Sequence, residues 1–491
     1  MKILPLYLWC LALGVMPLTL QGQKSWSVQL PGIGTFSSPR VADLNQDGVG
    51  DIILGAGRKE FQACDSAMIA LDGRHGKLLW QVSAKDQIFG SAALKDLNGD
   101  GIPDILIGGR SAELKAIHGK TGELLWQFSP ENTSKTSSHK WYNFYNPQWI
   151  PDQNQDGLEE VLISNGGDVM AAAYDPDRPP GYLLVLSGKD GRLLAQAEMP
   201  DGKETYMSVA ITPANREGDY KVIFGTGGET VGGNLYVGLL SQILKGDLSE
   251  AKLLDSSPAK GYIAPPVWVD INQDQVPDIL ANSVDGRLLA FDGKTYQALW
   301  SVHMPNTEAY SSIATGYFTK DSIPDFFVSY AQGAWPKLEW CKQFMVNGQT
   351  GKLEFVDSLG FYQTSTPVAA DITKDGRDEA FLSVNIKSVD EQNLRTYFYN
   401  VLVFINFSNR ELVQVGPVFD GSNISSTPWL GDLDQDGFMD IIYCHATNTE
   451  STYTFDGLQI NRIATEYPMP AKLPWGAYMG SAYDGVFYRD Q

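Results

Sequence analysis

Apolar residues in this chain fall in short runs, not long amphipathic stretches, and the runs come in sets of four. The clearest set enters through residues 39–42, crosses the polar loop Asp43-Leu44-Asn45-Gln46-Asp47-Gly48-Val49-Gly50-Asp51, and continues through Ile52-Ile53-Leu54. Ala67-Met68-Ile69-Ala70-Leu71 and residues 77–82 follow, separated by the turn Asp72-Gly73-Arg74-His75-Gly76. The next set repeats this order with Ile105-Leu106-Ile107, Leu114-Lys115-Ala116-Ile117, the turn His118-Gly119-Lys120-Thr121-Gly122, and Glu123-Leu124-Leu125-Trp126-Gln127. Short apolar runs bounded by glycine turns predict strands, and four in succession predict a small antiparallel sheet.

The polar loops begin at Asp43, Asp96, Asp152, Pro213, Asp270, Tyr317, Asp371 and Asp432, at intervals of 47 to 61 residues. A loose period of that size marks repeated supersecondary units. The expected fold is all-β, a β-propeller of four-stranded antiparallel blades, which hides most sheet edges. Eight loops predict eight blades, with seven as the alternative because closure is open. Trp26-Ser27-Val28-Gln29-Leu30 looks like a fourth strand that completes the last blade, yet Ile463-Ala464-Thr465-Glu466-Tyr467 reads as that blade's own fourth strand. Aromatic residues stand seven positions before five loop starts (Phe36, Phe89, Tyr145, Tyr206, Tyr310), and Tyr262 stands eight before its own. They are expected at the tops of the innermost strands, as packing in the first instance and as a ligand-stacking ring in the second.

Glycine (49) and proline (26) are spread along the 491 residues without forming a linker, so residues 23–491 are read as one repeat-built domain. The formal charge of −21 excludes the basic surface that a nucleic-acid partner requires. Met1-Lys2 and the apolar run of residues 3–20 read as a secretory signal peptide over residues 1–22. An uncleaved leader is the only route to a membrane, and the expected location is secreted, periplasmic or cell-surface. Beyond the leader, Cys64, Cys341 and Cys444 allow either one disulfide with a free thiol or three buried reduced cysteines.

The loops carry the most specific chemistry. Calcium takes six to eight oxygens, and alternate side chains of a tight loop supply them. The first loop would use Asp43, Asn45, Asp47 and Asp51 by side chain and Val49 by its carbonyl. The second would use Asp96, Asn98, Asp100, Ile102 and Asp104, the third Asp152, Asn154, Asp156, Leu158 and Glu160, and the last Asp432, Asp434, Asp436, Phe438 and Asp440. Two weaker versions are Asp270, Asn272, Asp274, Val276 and Asp278, without the usual glycine, and Asp371, Thr373, Asp375, Arg377 and Glu379, with a hydroxyl at the third position. About four to six structural Ca2+ sites are therefore expected. The loops at Pro213 and Tyr317 look dead, and Lys221 stands where the first of these needs its closing carboxylate. An EF-hand would need a carboxylate at position twelve, where Leu54, Ile107 and Tyr443 stand, and flanking helices. Acidic turns without metal are the plainer alternative. Against it, two carboxylates ~4 Å apart repel by ~4 kcal/mol at an effective dielectric of ~20.

Loops such as Asp96-Leu97-Asn98-Gly99-Asp100-Gly101-Ile102-Pro103-Asp104 resemble FG-GAP (VCBS-type) repeats, the units of the integrin α-chain propeller. Gly119-Lys120-Thr121-Gly122-Glu123-Leu124-Leu125-Trp126 also resembles the repeats of quinoprotein-like propellers. The first resemblance implies calcium-bound blades and ligand binding on the face away from the calcium loops. That face would carry the irregular connections: residues 130–146 with His139, Trp141, Tyr142 and Tyr145; residues 165–181 with Asp168, Tyr174, Asp175 and Arg178; and Trp335 and Trp340 in the sixth unit. Aromatics with acids on long loops of a rigid scaffold suit sugar or peptide binding, although capping of the propeller explains them equally well. The glycine-rich run of residues 224–233 has no phosphate-loop lysine and reads as a strand connection. The expected function is a secreted, non-enzymatic calcium-binding protein that binds or adheres to an extracellular carbohydrate or protein. The alternative is an extracellular carbohydrate-active enzyme or a quinone-dependent dehydrogenase on the same scaffold.

Overall fold

The computed structural model describes residues 24–128, 142–212, 218–362 and 364–488. The sets of four runs form sheets in which strands pair antiparallel in chain order. In the first, Arg40–Ala42, Asp51–Gly55, Cys64–Leu71 and Leu78–Ala84 lie side by side. One nine-stranded sheet is two such units joined by a single pairing, Phe361 with Asn385. Burial explains the pattern in the sequence. The second strand of the first unit is buried at every position, because blades stack on both of its faces, so after Asp51 it is apolar. The fourth strand alternates from Trp80 onward, with Trp80 and Ala84 buried and Gln81 and Ser83 exposed. One short helix, Leu240–Lys245, breaks the all-β order.

Closure follows the first of the two expectations. Trp26–Pro31 pairs antiparallel with Gly457–Pro468 in the register Trp26 to Arg462 and completes the last sheet from the other end of the chain. Residues 463–467, read from the sequence as that blade's own fourth strand, belong instead to the long third strand, Gly457–Pro468. Residues 1–22, the expected leader, lie outside the described residues. No helix among the described residues is long and apolar enough to cross a membrane.

Three devices hold the units to one another. The first is a latch between neighbours. The indole N–H of Trp26 donates to the Gly73 carbonyl in the next unit's turn, and Trp80, Trp126 and Trp300 do the same to Gly119, Gly188 and Gly348 at 2.7 to 2.9 Å. The last glycine of each turn lies beneath that indole. At Gly122, with φ of +74°, an added Cβ would come within 2.8 Å of Trp80, so both conformation and space require glycine. Lys221 takes the latch position toward Gly293, at 2.6 Å, while residues 213–217 of its own loop lie outside the described residues.

The second device is a belt around the axis. The Ser38 amide donates to Ser91 Oγ, Ser91 to Asn146 Oδ1, Asn146 to Ser208 Oγ, Ser312 to Thr366 Oγ1, Thr366 to Thr427 Oγ1, and Thr427 back to Ser38 Oγ. Pro265 has no side-chain hydroxyl, and there Ser312 Oγ donates to its carbonyl. The third device is the C-terminal segment. After Pro468 the chain enters the axial channel: Trp475 bridges to Ala369, Val486 to Trp268, and the Gly476 carbonyl accepts the Leu430 amide. Fully buried Arg40 donates to the Tyr478 carbonyl and lies over the Tyr483 ring at 4.0 Å. The tail therefore plugs the ring. Cys64, Cys341 and Cys444 are buried and form no disulfide, which resolves the cysteine alternatives in favour of three buried reduced cysteines. The side chains of Asn406 and Asn423, both in glycosylation sequons, are buried.

Candidate functional site

The two ends of the ring have different chemistry. At one end the acidic loops are laced by backbone amides. Asp43 accepts from Asp47 and Gly48, Asn45 Oδ1 from Asp47, and Asp47 from Val49, all at 2.9 to 3.1 Å. The loops at Asp96, Asp152 and Asp270 repeat this, and the loop at Asp371 keeps its Asp contacts. First, third and fifth side chains thus turn oxygens toward a common centre, and each oxygen keeps lone pairs for a cation. That donor set fits calcium.

The closing carboxylate does something else. Buried Asp51 accepts the Leu44 amide through one oxygen and the Gly73 amide through the other, tying the loop to the turn between the third and fourth strands. Asp104, Glu160 and Asp278 make the same pair of contacts. Asp325, in the unit whose loop starts at Tyr317 and keeps only Asp321 besides, bridges in the same way from the Thr319 amide to the Gly348 amide. The clamp therefore operates without a full ligand set. Burial pushes the carboxyls of Asp51, Asp278 and Asp325 up to about 6, and that of Glu379 up to about 7.

The last loop, the best spelled for calcium, is arranged differently. Among the described residues, Asp432, Asp434 and Asp440 are the one set of three carboxylates whose oxygens lie within 4.8 Å of one another. Cations of the chain itself meet them. The Arg462 guanidinium, 2% exposed, binds both oxygens of Asp440 at 2.9 and 3.0 Å and Asp434 at 2.9 Å. Lys24 adds contacts to Asp434 and Asp436 at 2.8 and 2.6 Å. With the guanidinium in place, the set Asp432, Asp434, Asp436, Phe438 and Asp440 does not fit an additional ion.

At the opposite end lies a cavity of about 550 Å³. Phe36, Phe89, Tyr145, Tyr206 and Tyr310, the aromatics placed before the loops, line its wall with Tyr362. Tyr262, one residue out of register, turns away to Asp255. Belt residues Ser38, Ser91, Asn146, Ser208 and Thr366 lie below, and Tyr478 of the tail joins the lining. The space is thus a funnel closed by the plug.

The second-to-third-strand connections form the rim. They bring in Glu60, Asp168, Val169, Arg178, Glu229, Thr230 and Trp335. Of the sequence candidates, the cavity gathers Tyr145, Asp168, Arg178 and Trp335. Tyr174, Asp175 and Trp340 are outside the lining, as is Tyr142, whose phenol is shifted up by burial and by the charges of Asp168 and Glu204. His139 and Trp141 lie outside the described residues. Arg178 serves as a clamp: its guanidinium donates to the carbonyls of Asp168, Ala172 and Asp175 and pairs with buried Glu204 at 3.4 Å. It folds residues 168–178 onto the rim. Tyr206 donates its hydroxyl to Glu204 at 3.1 Å and Tyr310 to Glu308 at 2.5 Å. Burial pushes Glu204 upward more than Arg178 lowers it. The sequence reading missed Glu60, Glu204 and Glu229, which belong to no motif. Their only signal is position in connections that the repeat directs to this end.

Four-stranded antiparallel sheets latched around a plugged channel define a β-propeller. Residues 26–393 match the FAM234A/B beta-propeller family, and the chain belongs to that family. It is 22% identical to Protein FAM234B of Mus musculus over 418 residues, covering 75% of this chain and 61% of the relative. Against Protein FAM234B of Homo sapiens it is 21% identical over 392 residues, with 72% and 57% covered. The chain therefore spans about three-fifths of the length of these relatives. Among solved structures it is similar to the quinohemoprotein alcohol dehydrogenase ADHIIG of Pseudomonas putida, with TM-score 0.55, 12% identity, 92% of this chain and 78% of that one covered. It is also similar to the rhamnogalacturonan lyase PL11 of Bacillus licheniformis, with TM-score 0.54, 14% identity and 95% and 81% covered. At these identities the likeness is one of fold.

Proposed function

We propose that this chain is an extracellular binding protein, an eight-bladed propeller that captures a protein or carbohydrate ligand in its axial funnel without chemically altering it. The observation that carries this reading is the funnel itself. A cavity of about 550 Å³, walled by six aromatic rings and rimmed by charged connections, opens on a scaffold fixed by belt, latches and plug. Its size lies in the ligand-pocket range, and its mixture of rings and carboxylates suits recognition. Calcium has a supporting role, in the FG-GAP manner, in the loops starting at Asp43, Asp96, Asp152, Asp270 and Asp371. First, third and fifth side chains would hold the ion together with the carbonyls of Val49, Ile102, Leu158, Val276 and Arg377. The ion would neutralise each loop and stiffen the end opposite the funnel.

Screening the purified chain against glycan and extracellular-protein arrays, with product analysis of each bound sugar, tests the function. Saturable binding that Tyr310→Leu abolishes, with the ligand recovered unchanged, is the expected result. A ligand recovered in altered form, or binding insensitive to every change in the funnel wall, would overturn the proposal. For calcium, excess chelator should lower the melting temperature, and an unchanged melt with no calcium by elemental analysis would remove that part.

A further inference from the structure

The charges of the funnel narrow the ligand. Five carboxylates stand at its rim and wall: Glu60, Asp168, Glu204, Glu229 and Glu308. Three have a resident cation, since Arg110 pairs with Glu60, Arg178 with Glu204, and Lys260 with Glu308 at 2.6 Å. Two do not. Asp168 accepts one backbone amide, that of Met170, and the Glu229 carboxylate receives no hydrogen bond or ion pair from the described residues.

Glu229 sits on the glycine-rich connection between Lys221–Gly225 and Gly233–Leu239. That connection is anchored by its backbone: Lys260 Nζ donates to the Glu229 carbonyl at 2.7 Å, Gly228 N–H to Val231, and Gly261 N–H to Gly228. The carboxylate is left facing the wall, where its charge adds to burial in raising the phenols of Tyr145, Tyr206, Tyr310 and Tyr362. These phenols stay neutral. The hydroxyls of Tyr206 and Tyr310 are already donated to Glu204 and Glu308, which leaves their rings as contact surface.

The cavity also contains an example of how such a wall is used. Arg110 lies with its guanidinium 5.3 Å from the Phe89 ring centre, and Glu60 is its counterion. Ring, cation and carboxylate together make a cation–π site. Tyr206, Tyr310 and Tyr362 repeat the rings, and Glu229 and Asp168 repeat the carboxylates, with no paired cation among the described residues. A neutral sugar would bury those two charges without compensation, which is costly.

We propose that the funnel takes a lysine- or arginine-bearing segment of a protein partner, with the cationic head held by Asp168 and Glu229 over the tyrosine rings. This rests on the binding reading above and names the ligand class. The acidic chain as a whole would speed the encounter, an effect that salt suppresses.

Calorimetric titration of the full chain with N-acetylated, C-amidated penta-lysine, beside penta-glutamine and a neutral oligosaccharide, tests it. Penta-lysine should bind and weaken with added salt, and penta-glutamine should not bind. Glu229→Gln and Asp168→Asn should each lower the affinity at least about tenfold without changing the melting temperature. Asp190→Asn, at an exposed turn on the opposite end, should leave the affinity unchanged. Absence of penta-lysine binding at millimolar concentration overturns the proposal. So does binding that both funnel variants leave intact, because overall negative charge would then be the receptor. Binding of the oligosaccharide alone, lost in Tyr310→Leu, overturns the cationic ligand but keeps the funnel as the binding site.

Discussion

Replacing Arg462 tests the electrostatics of the last loop most directly. Its guanidinium is 2% exposed and makes two bonds to Asp440, one to Asp434, and a fourth, at 3.3 Å, to the Gly73 carbonyl of the first unit. Arg462→Met keeps most of the volume and removes the charge, leaving Asp440 buried and Asp434 beside it uncompensated. Breaking a buried pair from one side costs about 3–5 kcal/mol, so the urea midpoint in chelator should fall substantially. Asp440→Asn in the same background should recover part of the loss, with a coupling between the two changes of about 1.5 kcal/mol or more. Removal of the guanidinium also opens Asp432, Asp434 and Asp440 to an ion. Calcium at millimolar concentration should then stabilise Arg462→Met more than the parent, and one additional ion should appear in a binding titration. Additive single and double changes within about 0.5 kcal/mol, or equal calcium responses in parent and variant, would refute the view that the chain supplies this loop's cation.

Three other changes probe the scaffold. His445 is buried between Phe419 and Tyr443, its Nδ1 on the Ala446 carbonyl, and burial lowers its pKa from 6.5 to about 4. The folded imidazole binds fewer protons than the unfolded one below pH 6.5. Its contribution is thus complete above 6.5 and lost between 6.5 and about 4, by up to about 3 kcal/mol. His445→Gln should flatten that part of the stability–pH curve, and an identical curve would contradict it. Gly122→Ala places a side chain at φ +74° against Trp80, and should cost about 1–3 kcal/mol in thermal or urea unfolding. Trp475→Ala empties the channel of a fully buried indole, with an expected loss of about 3–5 kcal/mol by denaturant titration.

The sequence shows most where the causes are local. Acidic loop, strand runs and glycine turn follow one another along a single stretch of chain, so one blade can be read from its own text, as residues 96–127 show. The devices joining blades depend on distant partners. Trp126 is visible as the end of a run, but its acceptor Gly188 is 62 residues on, and Trp26 closes onto a strand more than 400 residues away. The plug is illegible for a different reason: residues 469–488 have neither period nor alternation, since they meet several different blades in turn. In the funnel, the register of Phe36 to Tyr310 marks the wall, but it cannot separate a packed ring from an open one. Arg178 is legible as a cavity residue but not as a clamp, because a guanidinium that ties down its own loop and one that faces a ligand look the same in text. Lys24 and Arg462 lie outside the loop they neutralise, and so the best-spelled calcium loop is the one least in need of an ion.

The arrangement divides labour between the two ends of the ring. Clamps such as Asp51 join loop and turn within a blade, so a loop with fewer acids, as at Tyr317, still belongs to a complete unit. The funnel wall depends on relations between blades. The belt fixes Ser38, Ser91, Asn146 and Ser208 side by side just inside Phe36, Phe89, Tyr145 and Tyr206, two residues or one along the segments that lead into the first strands. The spacing of the rings is therefore set by hydrogen bonds between blades, and the one from Thr427 to Ser38 exists only after the ring has closed. Closure in turn needs Trp26–Pro31 from one end of the chain and the plug from the other. A segment that binds across several blades would hold together units that the belt already joins. Damage to the closing strand should accordingly weaken the funnel before it unfolds any single blade.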